Sequence, residues 1–146
     1  MEPPRTEVFL AHFESLDGIR EFVGKAAEDF GFKEKDVYAV QMAVDEACSN
    51  IIEHAYGGEC QDQIECTCIF ELKALTIQII DCGERFNPLE IPEPDLDASL
   101  EERDEGGLGL FFMRKLMDEV TFSFNQDVNA EETGCNILTM VKRKPY

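Results

Sequence analysis

The order in which the hydrophobic periodicities occur constrains this chain more than any other feature. Apolar residues at Ile19, Phe22, Val23, Ala26, Ala27 and Phe30 repeat with the helical period. Val37, Val40, Val44, Ala47, Cys48, Ile51, Ile52 and Ala55 do the same. The two helices follow one another directly. Ser15 and Asp17 offer N-caps to the first, Gly31 closes it, and Gly57-Gly58 ends the second, which spans 34–56. Before them, residues 7–14 read as a strand. After them, alternating runs at 63–72 and 75–81, joined at Lys73-Ala74, predict a hairpin. A long irregular stretch, 82–106, precedes a third helix over 107–118 and strands at 120–125 and 135–142. Strands therefore do not alternate one-for-one with helices, which disfavours a doubly wound parallel sheet. The expected fold is α+β: a two-layer sandwich with a mixed, mostly antiparallel sheet covered by three helices on one face.

A chain of 146 residues suits one domain, 1–146, with enough core to need no metal or disulfide. Its 31 Asp and Glu against 13 Lys and Arg give a formal net charge of −18, which repels nucleic acid and anionic lipid. No apolar run has the ~20 residues of a bilayer helix, and the first residues, Met1 to Arg5, lack the apolar core of a secretory signal. The expectation is a cytoplasmic protein with no direct nucleic-acid or membrane partner. The six cysteines, Cys48, Cys60, Cys66, Cys68, Cys82 and Cys135, form no CxxC pair. Free thiols in a reducing cytosol are expected.

Chemistry has three places to reside. On the second helix, Glu46, Asn50 and His54 fall in an i, i+4, i+8 row beside the apolar stripe, where a cleft wall would lie. A carboxylate there can serve as a general base, and an amide oxygen one turn on can ligate Mg²⁺. The same row also describes a solvated helix flank. Asp81-Cys82-Gly83 puts a carboxylate at the end of a strongly apolar strand, with a glycine two residues on that lets backbone approach a ligand; a simple strand-ending turn reads the same way. Glu105-Gly106-Gly107-Leu108-Gly109-Leu110 opens into a helix. Unpaired N–H groups there make an anion site in a chain otherwise hostile to phosphate, or else a hinge. No Gly-Lys-Ser/Thr follows, so it is not a Walker A loop.

Taken in order, these segments resemble the GHKL ATP-binding fold of gyrase-type ATPases and histidine kinases (the Bergerat fold). Within it the chain is most similar to the anti-sigma-factor serine kinases of bacterial partner switching. Asp45-Glu46-Ala47-Cys48-Ser49-Asn50 with His54-Ala55-Tyr56-Gly57 resembles the family's N box. Asp81-Cys82-Gly83-Glu84-Arg85-Phe86-Asn87-Pro88 resembles the first Gly box. Gly106-Gly107-Leu108-Gly109-Leu110, running on to Leu116-Met117-Asp118-Glu119-Val120, resembles the second.

The resemblance implies ATP and Mg²⁺ as cofactors. It implies Asn50 as the Mg²⁺ ligand, Glu46 as general base, Asp81 on the adenine amino group, Gly83 making room for the base, and Gly106, Gly107, Leu108 and Gly109 around the phosphates. Residues 88–105, within the loop 82–106, would be the ATP lid. The acceptor would be a serine of a STAS-domain anti-anti-sigma protein, the competing partner a sigma factor, and the assembly a homodimer. Two features depart from the pattern: Arg85 stands where some members have glycine, and the lid surrounds Arg103 with Glu101, Glu102, Asp104 and Glu105. The alternative these suggest is a regulator that binds its partner, with or without ATP, and performs no chemistry.

Overall fold

The computed structural model describes residues 2–90, 113–125 and 134–145. Strand β1 (Arg5–Leu10) leads into helix α1 (Ser15–Phe30) and helix α2 (Glu34–Asn50). The chain continues as a π-helical turn, Ile51–Ala55, then strands β2 (Gln63–Phe70) and β3 (Ala74–Asp81) and a short 3₁₀ turn, Pro88–Glu90. Strands β4 (Glu119–Asn125) and β5 (Cys135–Arg143) complete it. Residues 113–116 are helical and belong to the expected third helix. The rest of that helix, the phosphate loop with Gly106, Gly107, Leu108 and Gly109, and lid residues 91–105 lie outside the described residues.

The five strands form one sheet in the order β1-β2-β3-β5-β4, and all four pairings are antiparallel. Among the described residues, the sheet expected to be mostly antiparallel is wholly so. The order matters for the site: the chain leaves β3, forms edge strand β4, and returns as β5 between them. The ends of β3 and β5 thereby become neighbours, with Asp81 opposite Asn136.

The period-2 pattern places Ile64, Cys66, Cys68 and Phe70 of β2, Leu75, Ile77 and Ile79 of β3, and Leu138 and Met140 of β5 on one buried face. Against them pack Ile19, Val23, Ala26 and Ala27 of α1 and Val37, Val40, Val44, Ala47 and Cys48 of α2. Each large side chain sealed here contributes roughly 1.5–3 kcal/mol relative to exposure. Residues of opposite parity, such as Thr67, Gln78 and Thr139, are only half-buried.

Local signals place the ends. Gly31 adopts φ +105° as the C-cap of α1, and its N–H and that of Phe32 bond back to Glu28 and Ala27. Helix α1 starts at Ser15, but neither Ser15 nor Asp17 caps it: Glu14 is the N-cap and makes no side-chain cap bond. The second helix is not one continuous α-helix to Tyr56. It widens after Asn50 into the π turn, which ends as Tyr56 N–H reaches Ile51 O at 3.0 Å.

The cysteine expectation is corrected. Cys48, Cys66 and Cys68 are buried free thiols and Cys60 is a half-buried one, but Cys82 and Cys135 form a disulfide. Sequence spacing could not reveal it, because these residues lie 53 positions apart and meet only through the β3–β5 register.

Candidate functional site

Two walls face each other where α2 passes the ends of β3 and β5. A small cavity between them is lined by Asn50, Asp81, Phe86, Pro88, Phe122 and Asn136, among others.

The helical wall carries Glu46 and Asn50, one α-helical turn apart. Glu46 is half-buried, and its carboxyl is held above the usual range, first by burial and then by the negative charges of Glu53 and Asp45. Asn50 and His54 nearby work against that rise. Asn50 is only 4% exposed, and its Nδ2 has no hydrogen-bond partner; no bond of good geometry joins it to Glu46. An orphaned polar atom in so closed a place is uncommon and calls for a ligand or a function. The neighbouring Asp45 points away and ion-pairs with Arg20 of α1, which also binds Asp17. That separates the two acidic residues of the motif: Asp45 is structural and Glu46 faces the site's flank.

The backbone changes from α to π after Asn50, and His54, the third residue of the expected row, lies in that π turn. It is exposed and stacks on Phe86 with ring centroids 4.9 Å apart, clamping the segment after β3.

The strand wall carries Asp81, 2% exposed. Burial raises its carboxyl above the usual range, and the hydrogen bonds from Asn136 and Gly83 pull the other way. Both bonds use Oδ1: Gly83 N–H donates at 3.0 Å and Asn136 Nδ2 at 2.9 Å. Asn136 also donates to Glu84 O at 2.8 Å and accepts the Phe86 N–H at 3.0 Å. One buried amide thus holds both the carboxylate and the loop that follows it.

Gly83 has a packing reason to be glycine. A Cβ there would sit 2.6 Å from Ala55 O and 2.9 Å from the Tyr56 ring. The close approach is to the π turn, and it lets Glu84 N–H bond Ala55 O at 2.8 Å. The Tyr56 hydroxyl accepts the Cys82 N–H at 3.1 Å and donates to Gln63 O at 2.6 Å. Burial raises this hydroxyl to about 12, so it keeps its proton. Arg85 points out of the cavity, paired with Glu90 at 3.2 Å and over the Phe122 ring. Arg114 donates to Leu89 O at 2.8 Å and ties residues 113–116 to the 3₁₀ turn.

A match to the family described as histidine kinase-like ATPase domain covers residues 9–142. The chain belongs to that family. Among curated proteins it is similar to the serine-protein kinase RsbW of Bacillus velezensis, 31% identical over 121 residues that cover 79% of this chain and 74% of the relative. The RsbW of Bacillus mycoides is 33% identical over 108 residues, covering 70% of this chain and 66% of the relative. The match thus spans about two-thirds to three-quarters of these proteins' own length. The RsbW branch is the one that the three motifs resemble. A solved structure of the RsbU and RsbW domains of Rv1364c from Mycobacterium tuberculosis shares the fold, with TM-score 0.66 at 16% identity, covering 97% of this chain and 32% of that one.

Of the expected site residues, Asn50 and Asp81 line one cavity, while Glu46 lies one turn before Asn50 and Gly83 bonds Asp81 without either lining it. The glycines of the second Gly box and Arg103 fall outside the described residues. Asn136, Tyr56 and the Cys82–Cys135 bond escaped sequence reasoning. The described residues hold no cluster of three or more His, Cys, Asp or Glu able to grip a metal alone. The donor set fits Mg²⁺ in one way: one amide oxygen, from Asn50, beside a nucleotide whose phosphates and waters supply the rest. No described helix is long and apolar enough to cross a membrane.

Proposed function

We propose that this protein is an ATP-dependent serine protein kinase and anti-sigma factor, which phosphorylates a STAS-domain anti-anti-sigma protein and sequesters a sigma factor. It acts in the cytoplasm as a single-domain protomer of a homodimer, and its lid, 88–105, lies within the loop 82–106. The observation that carries the reading is the buried Asn50 amide, whose Nδ2 donor is unpartnered, beside Glu46 and across a cavity from the buried Asp81. The RsbW relatives, named serine-protein kinases, support the choice of acceptor.

In this reading Asp81 accepts the adenine amino group through Oδ2, because Oδ1 is committed to Gly83 and Asn136. Asn50 would hold Mg²⁺ through its amide oxygen, and the ion would neutralise charge across the phosphates. Glu46 accepts the proton of the substrate serine as its Oγ forms a bond to the γ-phosphorus and the bond to the β-bridging oxygen breaks, releasing ADP. Gly106, Gly107, Leu108 and Gly109 supply backbone N–H groups to the phosphates. The raised Glu46 carboxyl suits a base, since a basicity nearer the working pH takes up a proton more readily.

The test is transfer from ATP to a purified STAS protein. Native protein yields phosphoserine and Glu46→Gln does not. ATP binding without any phosphoserine, on any STAS partner offered, would reduce the protein to a nucleotide-binding regulator.

A further inference from the structure

We propose that Cys82 and Cys135 are a redox-responsive modification site that closes the nucleotide pocket when oxidised and opens it when reduced. The inference rests on the ATP-binding reading above and adds its regulation.

The two cysteines flank the centre of the strand wall. Asp81 pairs with Asn136 at the end of the β3–β5 ladder, and Cys82 and Cys135 are the next residues outward on the two strands, with Cα atoms 4.0 Å apart. Their bond fixes the start of segment 82–90, which forms one side of the cavity through Phe86 and Pro88. Every other tie on that start is non-covalent: Cys82 N–H to Tyr56, Glu84 N–H to Ala55, Glu84 O and Phe86 N–H to Asn136, and His54 stacked on Phe86. Those can yield to a ligand, whereas the disulfide cannot.

With the bond in place the cavity measures about 20 Å³. That holds one water molecule and is far too small for a purine. Admitting the base requires Phe86 and Pro88 to move away from Asn50 and Asp81, and the covalent anchor at Cys82 opposes that movement.

Position also makes this pair the reactive one. Cys82 is exposed and is the only exposed cysteine among the described residues; Cys135 is half-buried like Cys60, but only Cys135 lies against Cys82, while Cys48, Cys66 and Cys68 are buried in the core. Burial pushes the Cys48 thiol up, and hydrogen bonding to Cys68 together with burial does the same for Cys66, so both stay protonated and inert. A disulfide at a functional pocket, in a chain whose other four cysteines are free thiols, fits a reversible role better than a structural one.

The oxidant is a peroxide. The Cys82 thiolate attacks hydrogen peroxide, the O–O bond breaks, and a sulfenic acid forms with loss of hydroxide, which is protonated to water. The Cys135 thiolate then displaces the sulfenic hydroxyl, which leaves as a second water while the S–S bond forms. Two thiols and one peroxide give one disulfide and two waters. A dithiol reverses the step by exchange.

The experiment uses the full chain, treated either with hydrogen peroxide or with dithiothreitol and then desalted. Peptide mapping by mass spectrometry reports the Cys82–Cys135 linkage. Calorimetric titration with a non-hydrolysable ATP analogue and Mg²⁺ reports the pocket. We expect the linkage in the oxidised sample only, and analogue binding at least tenfold weaker there. In Cys135→Ser, and separately in Cys82→Ser, peroxide should no longer change the affinity. Equal or tighter binding by the oxidised protein, or no linkage after peroxide, overturns the redox inference and leaves the ATP reading intact. Absence of binding by the folded, reduced protein overturns the ATP reading itself.

Discussion

The two walls of the site are built by different means. On the helical wall, Glu46 and Asn50 are placed by four residues of local backbone, and their polar groups are left incompletely satisfied: the carboxyl is half-buried and the amide nitrogen lacks a partner. On the strand wall, Asp81 and Asn136 come from positions 55 residues apart, and their hydrogen bonds are nearly complete. A satisfied buried network resists rearrangement, whereas an unsatisfied group gains whenever a ligand meets it. The strand wall is thus a template and the helical wall a reactive edge. Loss of Asn136 or Gly83 from the first should cost folding, whereas changes on the second should cost function alone.

The largest effect expected is on the reactive edge. Glu46→Gln should slow phosphoryl transfer by about 10²–10⁴-fold, the range for a lost general base, with thermal stability and ATP affinity held. The native rate should rise with pH through the elevated Glu46 value, and the variant should lack that limb. A variant that melts early would erase the distinction between the walls.

Next comes Asn136→Ala. It takes from Asp81 Oδ1 one of its two donors and frees the part-buried Glu84 O and Phe86 N–H, for a loss of about 1–3 kcal/mol. Denaturant unfolding should show the loss without any nucleotide present. Gly83→Ala should follow, costing roughly 1–3 kcal/mol as the new Cβ forces the loop off Ala55 O.

The smallest effect sharpens the comparison through pH. Burial holds the Asp81 carboxyl above the usual range, so the folded protein retains this proton more tightly than the unfolded chain. The stability it contributes is complete at low pH and declines as pH rises through the folded value. Asp81→Asn removes that decline. The variant's stability relative to native protein should therefore grow from about pH 4 upward, while its nucleotide binding is lost. A stability difference that shrinks with rising pH would contradict the assignment.

These contrasts also explain what the sequence could disclose. Periodicity located both helices and the hairpin because each is specified by adjacent residues, and the Glu46–Asn50 spacing was legible for the same reason. The π turn was not, since Ile51-Ile52-Glu53-His54-Ala55 continues the helical pattern and only its packing against Gly83 shows why it widens. Asn136 carried no signal because its importance comes from β5 pairing with β3 while β4 takes the edge. The same register hid the Cys82–Cys135 pair, for which a search at CxxC spacing was the wrong rule. Asp81 and Gly83 could be picked out by motif, but the glycine's purpose, close contact with Ala55 O, needed the fold.

The central claim is that the buried Asn50 amide serves a Mg²⁺-bound nucleotide, its oxygen toward the ion and its unpartnered Nδ2–H toward an acceptor such as a phosphate oxygen. Its most direct test is calorimetric titration of reduced protein with a non-hydrolysable ATP analogue, with and without Mg²⁺, beside Asn50→Ala. The account predicts Mg²⁺-dependent binding by native protein and its loss in a variant that thermal unfolding shows to be folded. Undiminished binding by Asn50→Ala, or none by folded native protein, would contradict it.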